Sequence, residues 1–128
     1  MIKIYVTKTC VCPVRSTLIK KTLKKFLHEK GLVDATVSVA IVGKSKMLSL
    51  ARDYLDEKNT LHNVLSFTES EVSDRFVDAP DNQSFLGEIV ICYSKVMEEA
   101  NAERKMVDDK IVELVKHGTL HLLGIHHI

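Results

Sequence analysis

The sequence has few cysteines and no apolar run long enough to cross a membrane as a helix. Its three cysteines, two of them crowded in Cys10-Val11-Cys12, are not the even set expected of a disulfide framework, so we expect free thiols in a reducing cytoplasm. Cys10 and Cys12 could bind a metal, but no second cysteine pair accompanies them. The first residues also lack the apolar segment and cleavage site of a secretory signal. These absences predict a cytoplasmic protein.

The sequence also lacks an excess of charge of either sign. Lys and Arg total 18 against 17 Asp and Glu, a formal net charge of +1, so any affinity for nucleic acid would have to come from a local patch. One candidate follows Pro13, where apolar residues at three- and four-residue steps predict an amphipathic helix that ends near Gly31. Its polar side carries Lys20, Lys21, Lys24 and Lys25, which could either solvate the helix or follow a phosphate backbone.

The length and hydrophobic content predict one domain over residues 1–128, because 128 residues of which 45% are hydrophobic can bury a single core. Apolar, β-branched stretches predict strands at residues 2–7, 35–42, 63–67 and 85–92. Helical periodicity predicts a helix with Ser45 as its N-cap, another over residues 94–100 with a turn near Asn101, and a long one over residues 106–123. Residues 56–62 are a predicted loop, and residues 68–83 are either a loop over an active site or a disordered connector.

Four of the six histidines lie within residues 117–127. His117 and His121 are four positions apart and therefore share one face of a helix. Gly124 can adopt the left-handed conformation that ends a helix, which would bring His127 back toward the other two rings. Three neutral imidazoles suit one zinc ion and leave a fourth position for water, as in catalytic zinc sites. The alternative is that these histidines only cap and solvate a terminal helix.

The histidine spacing equals that of the metzincin proteases, but the position of their catalytic glutamate is occupied by Gly118. A peptidase would therefore lack its general base. Glu88 is the one carboxylate in the apolar stretch 85–92. It lies either at a solvent-facing or edge position, or at the mouth of the histidine cleft, where it would serve a ligand ring or the metal-bound water. Without that glutamate, the group that transfers the proton would be the metal-bound hydroxide, Glu88 or a substrate hydroxyl.

Three stretches carry a family resemblance, and they occur in the order expected of that family. They are Asn63-Val64-Leu65-Ser66-Phe67, Leu86-Gly87-Glu88-Ile89-Val90-Ile91 and His117-Gly118-Thr119-Leu120-His121-Leu122-Leu123-Gly124-Ile125-His126-His127. Together they resemble the motifs of the YbeY-type endoribonucleases, bacterial enzymes of ribosomal RNA maturation. The resemblance extends over nearly the whole chain.

The resemblance implies an α/β (α+β) domain in which a four-stranded mixed sheet packs with helices. It implies a zinc-dependent endoribonuclease that cleaves single-stranded RNA during ribosomal RNA 3′-end maturation and ribosome quality control, with the small ribosomal subunit as a partner and no membrane or DNA. By the same resemblance, His117, His121 and His127 bind one Zn²⁺, Ser66 lines the cleft, and Glu88 occupies the family's acidic position.

The chain departs from the family pattern before its third strand. Relatives usually have an arginine directly after a tyrosine there, which holds substrate phosphate, whereas Tyr54 is followed by Leu55. Arg52 and Lys58 are the candidates to replace it. A lysine, however, cannot reproduce the bidentate fork of an arginine on phosphate.

The chain also departs from the pattern near its last histidine. His126 stands where the family has an aspartate, so a second-shell carboxylate is lost and a competitor for the His127 ligand position is gained. The sequence stops at Ile128, and we therefore expect His127 near a fraying terminus. Two other functions fit the same residues. One is a ribosome-associated RNA-binding factor with a structural metal and no cleavage activity, and the other is a metal-dependent hydrolase of another substrate.

Overall fold

The computed structural model describes residues 1–72 and 85–124. Strands and helices alternate along most of this chain. Their bounds are β1 Ile2–Lys8, α1 Ser16–Glu29, β2 Ala35–Val42, α2 Lys44–Leu55, β3 Val64–Thr68, α3 Glu69–Val72, β4 Phe85–Cys92, α4 Tyr93–Glu103 and α5 Val107–Leu122. Within these two ranges, no helix combines the length and the apolar character needed to cross a bilayer.

The strands form one four-stranded sheet in the order β1-β2-β4-β3. β1, β2 and β4 are parallel, and β3 pairs antiparallel with β4. The sheet is therefore mixed, with β1 and β3 at its edges, and the predicted fold class is confirmed. Among residues 1–72 and 85–124, no further strand pairs with the outer side of β3.

Helices cover both faces of this sheet, which explains why its central strands are almost continuously apolar. On one face, Val37, Val39 and Ile41 of β2 share a buried cluster with residues of α1 and α5. On the other face, Ala40 and Val42 pack with residues of α2. α1 contributes to the first cluster because its buried residues Ile19, Leu23 and Leu27 recur every four positions and so lie on one side of the helix.

Most predicted elements are confirmed, and the differences lie at element ends. The N-cap of α2 is Gly43 rather than Ser45, which lies in the first turn of the helix. α4 continues through Asn101 and ends at Glu103. Its C-cap residue, Arg104, has a left-handed conformation (φ 58°) that reverses the chain. Residues 69–72, predicted to belong to a loop, form the short helix α3. The rest of that predicted loop, residues 73–83, lies outside the described residues.

Candidate active site

An open cleft of about 330 Å³ lies between the edge strand β3 and the C-terminal half of α5. β3 supplies one wall, α5 the other, and the ends of α2 and α3 close it. The described residues that line the cleft are Leu55, Val64, Leu65, Ser66, Phe67, Glu71, His117, Gly118 and His121. Two of the predicted metal ligands and the predicted cleft serine are therefore close together.

α5 presents His117 and His121 to the cleft because the opposite side of the helix is committed to the core. Ile111, Leu114 and Val115 are buried against the sheet, and both histidines are exposed. Residues four apart lie one above the other on a helix, so the two imidazoles occupy the same side. Gly124 follows the helix with φ 78° and donates its N–H to the carbonyl of His121. The predicted helix-ending glycine is therefore confirmed.

Gly118 allows α5 to lie directly on β4. A Cβ at this position would stand 3.1 Å from Cγ2 and 3.3 Å from Cγ1 of Ile89. These separations are shorter than ordinary van der Waals contact, so a larger residue would push the helix away from the sheet. A glutamate at position 118 would start toward Ile89 rather than toward the cleft. The close contact of α5 with β4 therefore disfavours a glutamate at position 118.

The register of β3 directs Ser66 into the cleft. Ser66 pairs with Ile89, and directly opposed residues of an antiparallel pair lie on the same side of the sheet. Because Ile89 faces α5, the hydroxyl of Ser66 also lies on the α5 side, where it is half-buried. A hydroxyl in this position can donate a hydrogen bond to an anionic ligand.

Glu88 lies on the other side of the sheet. Its neighbours Gly87 and Ile89 approach Leu122 and Gly118 of α5, and side chains alternate along a strand, so Glu88 faces the α2 side together with Val90. It does not line the cleft. The prediction that Glu88 stands at the cleft mouth is therefore wrong. A solvent-facing or edge position is also wrong, because Glu88 is 2% exposed in an internal strand.

Leu55, at the position where the resemblance led us to expect an arginine, lines the cleft. Its side chain is 43% exposed at the end of α2. Neither Arg52 nor Lys58 lines the cleft. Arg52 lies on the exposed surface of α2, where it donates a hydrogen bond to Ser49 Oγ at 3.3 Å. The geometry therefore does not support a phosphate-binding role for Arg52 or Lys58.

The sequence-based prediction missed Glu71, a carboxylate in the cleft lining. Glu71 is positioned by Thr68, whose backbone N–H and Oγ1 donate to Glu71 Oε1 at 2.8 and 3.0 Å. The first of these is the hydrogen bond of a capping box, in which the third helical residue reaches back to the N-cap. The signal was the spacing Thr68-x-x-Glu71, which predicts a helix start where we expected a loop.

The predicted third ligand, His127, and its predicted competitor, His126, lie outside the described residues. Across residues 1–72 and 85–124, no three histidine, cysteine, aspartate or glutamate side chains are arranged to hold a metal ion. His117 and His121, the two predicted ligands within the described residues, form a donor pair that fits a metal ion. Two imidazoles share one side of a helix near its C-terminus, where the partial negative charge of the helix favours a cation.

The thiols are separate from this cleft. Cys10, Cys12 and Cys92 are all free, as predicted, with the Cys10 and Cys12 Sγ atoms 2.8 Å apart. Burial and a hydrogen bond with Cys12 raise the pKa of Cys10 to about 11. The raised pKa makes Cys10 poorly suited to be a thiolate ligand at neutral pH.

A buried ammonium fixes the start of α5. Lys110 is 5% exposed and donates to both carboxylate oxygens of Glu103 at 3.1 and 3.0 Å and to Glu113 Oε2 at 3.1 Å. Burial lowers the pKa of Lys110, but hydrogen bonds to the two glutamates outweigh this and raise it overall. Hydrogen bonds from Lys110 and Lys105 lower the pKa of Glu103. The network ties α4 to the helix that carries the histidines.

The fold and the cleft define a small α/β protein with two histidines on one helix facing an edge strand. The family model for endoribonuclease YbeY matches residues 7–128. The chain therefore belongs to the endoribonuclease YbeY family, and the resemblance seen in its motifs is confirmed.

Individual relatives agree with this assignment. An endoribonuclease YbeY from Buchnera aphidicola subsp. Schizaphis graminum is 32% identical over 110 residues, covering 86% of this chain and 65% of the relative. One from Stutzerimonas stutzeri is 38% identical over 95 residues, covering 74% and 56% respectively. The chain thus spans about three fifths of the length of these relatives. The solution structure of TM1509 from Thermotoga maritima shares the fold, with a TM-score of 0.59 and 24% identity, over 98% of this chain and 75% of that one.

Proposed function

We propose that this chain is a metal-dependent endoribonuclease that cleaves single-stranded RNA in ribosomal RNA 3′-end maturation and ribosome quality control. The observation that supports this most directly is the placement of His117 and His121 beside Ser66 in one open cleft. Relatives of the chain carry the name endoribonuclease. We place the protein in the cytoplasm, with the small ribosomal subunit as its partner.

His117 and His121 would hold one zinc ion, with His127 as the third ligand. The chemistry that bound zinc supplies is Lewis-acid polarisation of a phosphodiester oxygen. An open cleft on the edge of the sheet suits a single strand, because an extended chain can enter it without unfolding any part of the protein.

Two further cleft residues have roles in this proposal. The hydroxyl of Ser66 donates a hydrogen bond to the substrate phosphate, for which its half-buried place on β3 is suited. The carboxylate of Glu71 would accept the proton of the water that attacks phosphorus, while the scissile P–O bond breaks and the leaving sugar oxygen takes a proton from solvent. Glu88 cannot fill this role from the other face of the sheet. Thr68 holds Glu71 in place through its two hydrogen bonds.

The test combines metal content with RNA cleavage. The full chain is purified without chelator, and zinc is measured by elemental analysis in the parent, His117→Ala and His121→Ala. We expect about one zinc per parent chain, a large loss in both variants, and cleavage of single-stranded RNA that stops on metal removal and returns with zinc. His28→Ala is the matched control, because His28 is an exposed histidine on α1 away from the cleft.

The outcome against the proposal is a folded parent that contains no metal, or one whose RNA cleavage persists in His121→Ala. Glu71→Gln separates the proton-acceptor role from metal binding. We expect this variant to keep its zinc and to lose about 100-fold or more in kcat, the usual contribution of a general base. An unchanged kcat would remove Glu71 from the mechanism.

A second candidate function is an RNA-binding factor in which the metal is structural and nothing is cleaved. The observation in its favour is Leu55, an apolar side chain where relatives place a phosphate-binding arginine. This candidate requires RNA or ribosome binding with no cleavage by any metal form of the protein. Cleavage that disappears in a folded His121→Ala variant would exclude it.

A further inference from the structure

Positive charge is concentrated on one helix of this nearly neutral protein. Residues 15–30 contain six lysine or arginine side chains and one carboxylate, a net charge of +5. The remaining residues contain 12 basic and 16 acidic side chains, a net charge of −4. The formal net charge of +1 therefore hides a strong separation of charge, with α1 as the positive pole.

Four lysines form the outer surface of α1, and we refer to Lys20, Lys21, Lys24 and Lys25 as the lysine face. All four are exposed. They repeat in two adjacent pairs, so they form a strip about 7.5 Å long on the helix surface. None of them forms a salt bridge with any residue in the ranges 1–72 and 85–124. Lys95, Lys105 and Lys110, by contrast, pair with glutamates. Other lysines of the described ranges also lack a salt bridge, and what distinguishes the lysine face is that four such side chains lie together on one helix.

The lysine face continues toward the active-site helix. A groove of about 460 Å³ between α1 and α5 is lined by Lys21, Lys25, Phe26 and Lys116. The ammonium of Lys116 lies 5.7 Å from the centre of the Phe26 ring. Lys116 directly precedes the cleft residue His117 on α5. The positively charged side chains therefore extend from α1 to the helix that lines the cleft. Glu29 and Asp109 also line the groove, which leaves the unmatched charge on the outward lysine face.

The surroundings favour a polyanion in water over a lipid surface. A helix that binds a membrane inserts its apolar face. Three of the five apolar residues of α1, Ile19, Leu23 and Leu27, are 0 to 2% exposed and belong to the core of the protein, and Leu18 and Phe26 are half-buried. The lysines lie on the exposed side, and a strip of lysines with the half-buried ring of Phe26 beside it suits a phosphate backbone with unstacked bases.

We propose that the lysine face binds the phosphate backbone of a single RNA strand at a site separate from the histidine cleft. This rests on the proposed function, because it assumes that the strand held by α1 crosses α5 to reach the cleft. α5 is about 10 Å across, so one strand can contact both sites. The lysine face would supply affinity without base specificity, and the cleft would determine where the strand is cut.

The experiment measures how RNA affinity depends on salt. The affinity of the full chain for an oligouridylate is determined by fluorescence anisotropy between roughly 50 and 200 mM salt. The variant K20Q/K21Q/K24Q/K25Q removes the lysine face. Glutamine keeps helix propensity close to that of lysine, so α1 should remain folded. If each lysine neutralises one phosphate, the slope of log K against log salt concentration becomes shallower by about 2.8.

Three comparisons make the result specific. The variant K3Q/K44Q/K46Q/K95Q removes the same charge from exposed or half-buried lysines elsewhere and should change the slope by less than about 1. The variant K20R/K21R/K24R/K25R keeps the charge and should retain the parent slope. Binding to phosphatidylserine vesicles is measured in parallel. Equal effects of the two glutamine variants, or vesicle binding without RNA binding, would overturn the proposal.

Cleavage distinguishes this proposal from the proposed function. The lysine-face variant should raise the KM for RNA while leaving kcat and zinc content unchanged, because the cleft residues are intact. If no form of the protein cleaves RNA but the slope still depends on the lysine face, the nuclease assignment fails and the binding surface stands. If RNA is cleaved and the slope is insensitive to these lysines, the binding surface fails alone.

Discussion

Gly87 is the position where a single methyl group should damage both the sheet and the candidate active site. Its φ is 145°, a region that side-chain-bearing residues avoid. A Cβ there would overlap the carbonyl oxygen of Phe67 in β3 and stand 2.8 Å from Cδ2 of Leu122 in α5. Because one of these neighbours is backbone, the clash cannot be relieved by turning a side chain. β3 would have to move away from β4.

The expected cost of Gly87→Ala has two parts. Backbone strain contributes about 1–3 kcal/mol, and overpacking contributes about another 1–3 kcal/mol. Domains of this size are stable by about 5–15 kcal/mol, so the variant would lose a large share of its stability. With a urea m-value of about 2 kcal/mol/M, a loss of 4 kcal/mol lowers the denaturation midpoint by about 2 M. Urea unfolding followed by circular dichroism measures this directly.

Gly31→Ala is the matched control. Gly31 also has a positive φ, 89°, but a Cβ there meets nothing within 4 Å. Gly31→Ala should therefore lower the free energy of unfolding only through backbone strain, by about 1–2 kcal/mol. Hydrogen exchange of the β3 amides should accelerate in Gly87→Ala and stay unchanged in Gly31→Ala. Equal losses of stability in the two variants would refute the close approach of β3, β4 and α5 described above.

Three other changes test the network, the packing and the cleft. A hydrogen bond from Lys110 lowers the pKa of Glu103, and one from Lys105 lowers the pKa of Glu113. The two ionised carboxylates therefore stabilise the fold fully above their unfolded pKa of 4.5, and this stabilisation is lost as the pH falls through the lowered values. The urea midpoint of the parent should fall more between pH 7 and pH 3 than that of Glu103→Gln/Glu113→Gln, and an equal fall would contradict this. Gly118→Glu should reduce the free energy of unfolding by about 3 kcal/mol or more without raising cleavage, because its side chain starts against β4; wild-type stability in urea would argue against that packing. Leu55→Arg should tighten RNA binding about tenfold, roughly 1.4 kcal/mol, relative to Leu55→Gln, and equal affinities would show that the cleft does not contact phosphate.

The sequence was sufficient for features that depend on local periodicity. The bounds of β2 and β4 follow from mainly apolar stretches, which are typical of strands covered on both faces. The common placement of His117 and His121 follows from helical geometry alone, since four residues make slightly more than one turn. The expectation that Ser66 lines the cleft came from a family motif rather than from any local pattern, and the structure has Ser66 in the cleft lining.

Features set by contacts between distant segments could not be predicted. The face to which Glu88 points depends on the register between β2 and β4, which shifts by one residue next to Val37. A shift of one residue moves a side chain to the other face of a strand, and no periodicity reveals it. α3 is a different case, because the Thr68-x-x-Glu71 capping signal was present but lay in a polar segment expected to be a loop.

The position of α5 between the groove and the cleft restricts how this protein can change during evolution. Lys116, His117 and His121 are carried by one uninterrupted helix of 16 residues, so their angular positions are linked. Deleting or inserting one residue between Gly118 and His121 would rotate His121 by about 100° relative to His117 and separate the two rings. The length of this segment is therefore fixed.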